Sequence, residues 1–312
     1  MDRMNRREFV ERAVVTAGVL GVVSASNADQ TTTTVKDKSV KDKVKLGKSG
    51  IVTSLVGIGT GSVGWNHQSN QTRLGQDKFT ALIQHAHESG IHFFDLADQY
   101  GSMPFFKEPL KKLQRDKITI QTKSNSREPA KMRADLERFR KELDTDYLDT
   151  VLIHCVTEAD WNVRYRGIMD VLEEAKQKGI IRAHGVSCHT LEALTAAASE
   201  PWVQVDLARF NPWGKYMDGK MGEPEVAAVD HVRPLLQKMR SAGKGVIGMK
   251  IVAQGDIMKA DDRISKARES IRHALSTGAV DMMVIGFESH AQITEIMHET
   301  QVALAEVGYV VA

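Results

Sequence analysis

The feature that most constrains this chain is an alternation repeated eight times. From Leu55 onward, short apolar runs alternate with longer stretches whose apolar residues recur at spacings of three and four. The runs predicted as strands are 55–59, 92–96, 118–122, 150–154, 183–187, 203–208, 246–250 and 282–286. Between and after them lie predicted helices at 77–89, 104–114, 129–143, 167–178, 190–199, 223–242, 264–276 and 289–306. Ile168, Val171, Leu172 and Ala175 illustrate the helical spacing. Gly90, Gly179, Gly243 and Gly278 sit just past four of these helices, where a left-handed residue ends the turn. Strands separated by helices must run parallel, and eight such units in about 250 residues make an α/β fold of the (β/α)8 TIM-barrel type. An open doubly wound sheet alternates too, but it takes a dinucleotide on a glycine-rich turn that leads straight into a helix. Gly57-Ile58-Gly59-Thr60-Gly61 is followed by no helix until about residue 77, which favours the barrel. Ahead of it, Val44-Lys45-Leu46, a Gly-rich turn and Ile51-Val52 predict a short N-terminal β-hairpin.

The first 28 residues do not belong to that pattern. A charged start, an uncharged run from Ala13 to Ala25 and small residues at Ser26-Asn27-Ala28 read as a signal peptide, too short to span a bilayer. The adjacent Arg6-Arg7 before Glu8-Phe9-Val10 resembles the twin-arginine signal, which exports folded proteins. The expected organisation is a signal peptide at 1–28, a polar linker at 29–43 and the barrel at 44–312. This implies export to the periplasm with the export machinery as a partner; the alternative is a cytoplasmic protein with an amphipathic N-terminal helix. With 42 Lys+Arg against 40 Asp+Glu, the chain offers no basic field for nucleic acid. Two cysteines, Cys155 and Cys188, are too few for a disulfide framework, and two free, mostly buried thiols are expected. A monomer or small homo-oligomer is expected.

In a barrel of this type the chemistry sits at the C-terminal ends of the strands. The second barrel strand runs into Asp95 and, five residues on, Tyr100; the third ends at Lys123 and the fourth at His154. An acid, a phenol, an amine and an imidazole from neighbouring strands form a proton-donating set. A phenol holds its proton too tightly for neutral pH unless an ammonium stabilises the phenolate, and a carboxylate can aim that ammonium. An imidazole can hydrogen-bond a carbonyl oxygen. No nucleophile–base pair stands out, and no metal-ligand pattern is found.

Asp95 and Tyr100 inside Phe-Asp-x-Ala-x-x-Tyr-Gly, followed by Lys123 and His154, resemble the catalytic tetrad of the aldo/keto reductases. The likeness extends from Val44 to about Glu299 and includes Gly185-Val186-Ser187 and Phe210-Asn211-Pro212. The resemblance implies NAD(P)H-dependent reduction of an aldehyde or ketone, or oxidation of the alcohol, with a small carbonyl compound as partner. It makes Tyr100 the general acid, Lys123 the group that depresses its pKa, Asp95 the holder of Lys123, and His154 the orienter of the carbonyl. It also implies a cofactor extended across the barrel mouth, with Gly59, Thr60, Ser187, Cys188, Met249, Lys250, Gly286, Ser289 and Gln292 as its candidate contacts. The sequence departs from the family there. Cys188 replaces an Asn that grips the nicotinamide amide, Leu207 replaces a Gln, and Gly248-Met249-Lys250 replaces an aromatic stacking run. Glu288 would repel a 2′-phosphate, so NADP(H) and NAD(H) stand on an even footing. These departures keep an alternative open, a catalytically weak nucleotide-binding barrel that acts as a redox or ligand sensor or partner subunit.

Overall fold

In the computed structural model, residues 38–259 and 261–307 are described. The signal peptide, and the linker as far as residue 37, lie outside the described residues. An antiparallel hairpin, β1 (Lys43–Lys45) with β2 (Val52–Ser54), opens the described part. Eight parallel strands follow and close into a barrel. They are β3 (Val56–Gly59), β4 (Phe93–Asp95), β5 (Thr119–Ser124), β6 (Leu148–Val156), β7 (Ile181–Cys188), β8 (Val205–Arg209), β9 (Gly245–Met249) and β10 (Met282–Gly286). Closure is direct, since β10 pairs with β3 through Met283 opposite Val56 and Gly286 opposite Gly59.

One principal helix follows each barrel strand: α1 (Gln76–Glu88), α2 (Ser102–Leu110), α3 (Pro129–Leu143), α4 (Arg166–Gln177), α5 (Leu191–Ser199), α6 (Ala227–Ser241), α7 (Arg263–Ser276) and α8 (His290–Val307). The local reasons are legible. Pro129 opens α3 at the first helical position, where its missing N–H is no loss, and left-handed Asp144 closes it. α4 turns Ile168, Met169, Val171, Leu172 and Ala175 inward, and truncating Leu172 to Ala would cost about 2–5 kcal/mol. Gly90, Gly179, Gly243 and Gly278 all take positive φ just past their helices. Among the described residues no helix is long and apolar enough to cross a membrane.

The loops at the C-terminal ends of the strands are where the backbone is least ordinary. Val63, Asn66, His67, Cys155, Tyr216, Lys250, Ala253 and Gln254 all have φ between 45° and 60° without being glycine. Such residues cost about 1–3 kcal/mol each and persist where surrounding structure fixes them. The loop after β9 winds through a kinked 3₁₀ stretch, Ala253–Lys259, that the sequence pattern does not announce.

Candidate active site

Asp95 closes β4 and Lys123 lies in β5, and register places Asp95 opposite Gln121 on the neighbouring strand. The ammonium of Lys123 donates to Asp95 Oδ1 in a short charge-assisted bond and to the Leu96 carbonyl at 2.9 Å. Gln121 donates a further bond to the same carboxylate oxygen (2.8 Å), and Thr150 donates to Gln121 (3.1 Å). Both charges are nearly inaccessible to water, so removing one partner would strand the other at a cost of about 3–5 kcal/mol.

Tyr100 ends a 3₁₀ turn, Asp98–Tyr100, that returns the chain across the barrel mouth. The Lys123 Nζ lies 5.0 Å from its ring centroid. His154 meets the ring edge-on at 5.8 Å between centroids. The four tetrad residues are therefore brought together. Two glycines make room for the phenol: a Cβ on Gly61 would fall 2.3 Å from the ring, and one on Gly64 2.5 Å from it. Neither glycine was picked out for this role from sequence, although their spacing just past a strand end was visible.

Burial first, then the charges of Asp95 and Cys155, hold the Tyr100 phenol well above its ordinary pKa, while Arg209 pulls the other way. The net direction is upward although the Lys123 ammonium, paired with Asp95, lies 5.0 Å from the ring centroid. Burial likewise lowers Lys123 against the pull of Asp95. Burial, then Lys123, His189, Arg127 and Arg209, keep His154 neutral far below its usual range.

A cleft of about 440 Å³ runs from Asp95 and Tyr100 across the ends of β3, β9 and β10. Of the residues named from sequence as candidate cofactor contacts, Gly59, Met249, Lys250, Gly286 and Gln292 line it. Thr60, Ser187, Cys188 and Ser289 do not, and each has a local reason. The Thr60 hydroxyl bridges the Asp95 carbonyl (2.9 Å) and Ser102 (2.8 Å). Ser187 and Cys188 are fully buried in β7, the Ser187 hydroxyl facing the Leu207 carbonyl. Ser289 accepts from the Gln292 N–H and so caps α8. Leu207 is also buried, so no side-chain amide stands where the family pattern has one.

The cleft also has walls that sequence reasoning missed. Gln71 donates to Ser62 and to the Phe287 carbonyl and accepts from the Ser62 N–H, tying the loop after β3 to the loop after β10. Gln254, Met258 and Lys259 come from the kinked segment after β9. Burial and the nearby Arg209 push Lys250 down to about 8, and its ammonium donates to Gln254 (3.0 Å). At the far end Glu288 accepts from Asn70 (2.7 Å). Gly59, Gly61, Gly255 and Gly286 leave parts of the cleft wall free of side chains, and Lys250 brings a cation to it. Trp65 and Trp213, expected on mouth loops, do not line it.

The aldo/keto reductase family model matches residues 55–309. "Probable aldo-keto reductase 1" of Glycine max is 30% identical over 180 residues, half of each chain. An NADH-specific methylglyoxal reductase of Escherichia coli is 26% identical over 172 residues, 46% of this chain and 51% of that one. The chain thus spans about half the length of these curated relatives. An aldo-keto reductase structure from Bacillus halodurans, in its holo form, shares the fold with a TM-score of 0.65 at 18% identity, over 87% of this chain and 97% of that one. With the family model covering the whole barrel and the tetrad assembled at its mouth, the chain belongs to the aldo/keto reductase family.

Proposed function

We propose that this protein is a reductase of aldehydes or ketones that draws on NADH or NADPH. The observation that carries the reading is the buried Asp95–Lys123 pair set beneath the Tyr100 ring, beside a cleft of about 440 Å³. The nicotinamide, when bound, supplies the hydride. The chain supplies the rest. His154, held neutral, donates an N–H to the carbonyl oxygen and orients it. Tyr100 is fully protonated at neutral pH and gives its proton to that oxygen as it gains negative charge. The Lys123 ammonium then stabilises the phenolate left behind. Asp95 and Leu96 keep that ammonium in place.

Glu288 at the far end of the cleft favours a ribose diol over a 2′-phosphate, which makes NADH the preferred donor in this reading. The Escherichia coli relative acts on methylglyoxal with NADH, so short 2-oxoaldehydes head the substrate panel. The test is NADH oxidation by that panel: turnover that vanishes in Tyr100→Phe supports the reading. The burial of Ser187 and Cys188 away from the cleft favours one competitor, a nucleotide sensor. NADH binding without turnover of any carbonyl would identify it.

We also infer that residues 1–28 direct the folded protein through the twin-arginine route, on the strength of Arg6-Arg7 and the uncharged run after them. Folding before export would let a nucleotide be loaded in the cytoplasm. A double Arg6→Lys, Arg7→Lys variant should stay in the cytoplasm; export of that variant would overturn the inference.

A further inference from the structure

The cleft takes up only the side of the barrel mouth formed by β3, β4, β9 and β10. On the other side, His154 and Cys155 come from β6, His189 follows β7, Arg209 ends β8, and Arg127 lies in the loop after β5. None of these lines the cleft. A slip in strand register between Ile153 and Val156, with Cys155 at φ 52°, brings consecutive residues of β6 into one cluster. Ligand-type atoms of His154, Cys155 and His189 all lie within 4.8 Å of one another.

That spacing invites a metal ion, but the hydrogen bonding argues for a different guest. Arg209 donates from Nη2 to Nδ1 of His189 at 2.7 Å, and a guanidinium can only donate. Neutral His189 therefore carries its proton on Nε2, which is buried and has no partner. A metal on Nε2 would place the remaining proton on Nδ1, against the guanidinium. Arg209 Nε is likewise buried and unpartnered. The cluster is thus short of acceptors.

It is also positively charged. Arg127 forms no ion pair among the described residues: it donates to the carbonyls of His154 (2.6 Å) and Cys155 (3.2 Å) and stacks over Tyr165. Glu158 is held by the Tyr165 hydroxyl at 2.5 Å and feels the Arg127 charge without forming an ion pair with it. Arg209 is paired with Asp218 (3.1 Å), a carboxyl that burial raises to about 6. Burial, then the charges of Arg209, Lys250 and Lys123, push His189 down to about 3. A chain of net charge +2 has gathered this field at one half of one mouth.

We propose that Arg209 and His189, with Arg127 behind them, form a carboxylate subsite, and that the preferred substrates are short oxo acids rather than neutral aldehydes. The reacting carbonyl lies at Tyr100 and His154, and the acid group lies on the β6–β8 side, away from the nucleotide. A carboxylate offers acceptors to the guanidinium and to the imidazole N–H without displacing Asp218 from its own side of Arg209. This deepens the reductase reading and rests on it for the position of the carbonyl alone.

The test pairs each acid with an uncharged counterpart: glyoxylate against its ethyl ester, and 4-oxobutanoate against butanal. The full-length barrel should favour the acids, and Arg209→Met should lower the acid-to-neutral ratio of kcat/KM roughly 100-fold, chiefly through KM, with partial recovery in Arg209→Lys. Equal use of acid and ester by the unaltered protein, or an equal loss for both in Arg209→Met, would overturn the proposal. Binding of oxamate, followed by calorimetry, needs no turnover. Saturable binding that is lost in Arg209→Met supports the subsite even where no carbonyl is reduced, and its absence in the unaltered protein sinks it. Thermal melting checks that Arg209→Met is folded, and His189→Phe, which removes the N–H and leaves Asp218 paired, should weaken oxamate in the same direction.

Discussion

Gly61 and Tyr100 are packed so closely that a single methyl group would not fit between them: a Cβ on Gly61 would stand 2.3 Å from the phenol ring. Gly61 needs no unusual backbone torsion, so the glycine is there for space rather than for a turn. Gly61→Ala should therefore fold and should push the ring off its position over Lys123. A misplacement of about 1 Å costs on the order of 100-fold in rate. Single-turnover NADH oxidation should fall by about that factor, while nucleotide binding changes little. A variant with undiminished single-turnover rate would show that the ring has more freedom than the packing suggests.

Lys250 gives the cleft a pH response within the working range. Its folded pKa, lowered to about 8 by burial and by Arg209, lies below the ordinary lysine value. Below pH 8 the ammonium is present and favours an anionic nucleotide; above it the charge is lost. Binding of NADH should therefore weaken as pH rises from 7 to 9. In Lys250→Met the affinity should be lower and should lose most of that slope. Fluorescence titrations at three pH values decide it, and an unchanged slope in the variant would place the titrating group elsewhere.

The barrel was legible in the sequence because each strand and helix repeats its own period, and eight repeats leave few alternatives. The tetrad was legible because strand ends converge once the barrel is accepted. The rest depends on which way loops and strand residues face. Ser187 and Cys188 occupy the family's cofactor positions in sequence, but β7 buries both. His189 and Arg209 looked unremarkable singly, and only the fold reveals the 2.7 Å bond that fixes the imidazole proton. Tyr100 shows the limit for electrostatics. A neighbouring lysine pulls the pKa down, whereas burial and the Asp95 charge hold the phenol above its ordinary value.

Glu288 lines the cleft at an exposed position, bonded to Asn70, where the proposed reading puts the adenosine ribose. Replacing that negative charge with a positive one, Glu288→Arg, should improve NADPH relative to NADH. At an exposed site the change is worth about 1–2 kcal/mol, or roughly tenfold in the ratio of kcat/KM values. The ratio measured at low and moderate salt should also shrink with ionic strength. If the ratio does not move, Glu288 lies too far from the ribose to matter.

Asp206 supplies the last test, one that does not depend on any substrate. The residue lies in β8, both its carboxylate oxygens are buried without a hydrogen-bond partner, and burial followed by repulsion from Asp218 raises it to about 8. The sign follows from proton binding. Between the unfolded value near 4 and the folded value near 8, the native state holds a proton that the unfolded chain has released, so this residue's contribution declines as pH rises. The limiting slope is about 1.4 kcal/mol per pH unit, shared in part with Asp218, whose carboxyl is raised to about 6. Asp206→Asn keeps the shape and cannot ionise. Its stability relative to the unaltered protein should therefore climb between pH 5 and pH 8, by a few kcal/mol in denaturant titrations. A difference that stays flat across that range would mean that Asp206 is ionised in the native barrel and has a partner at neutral pH.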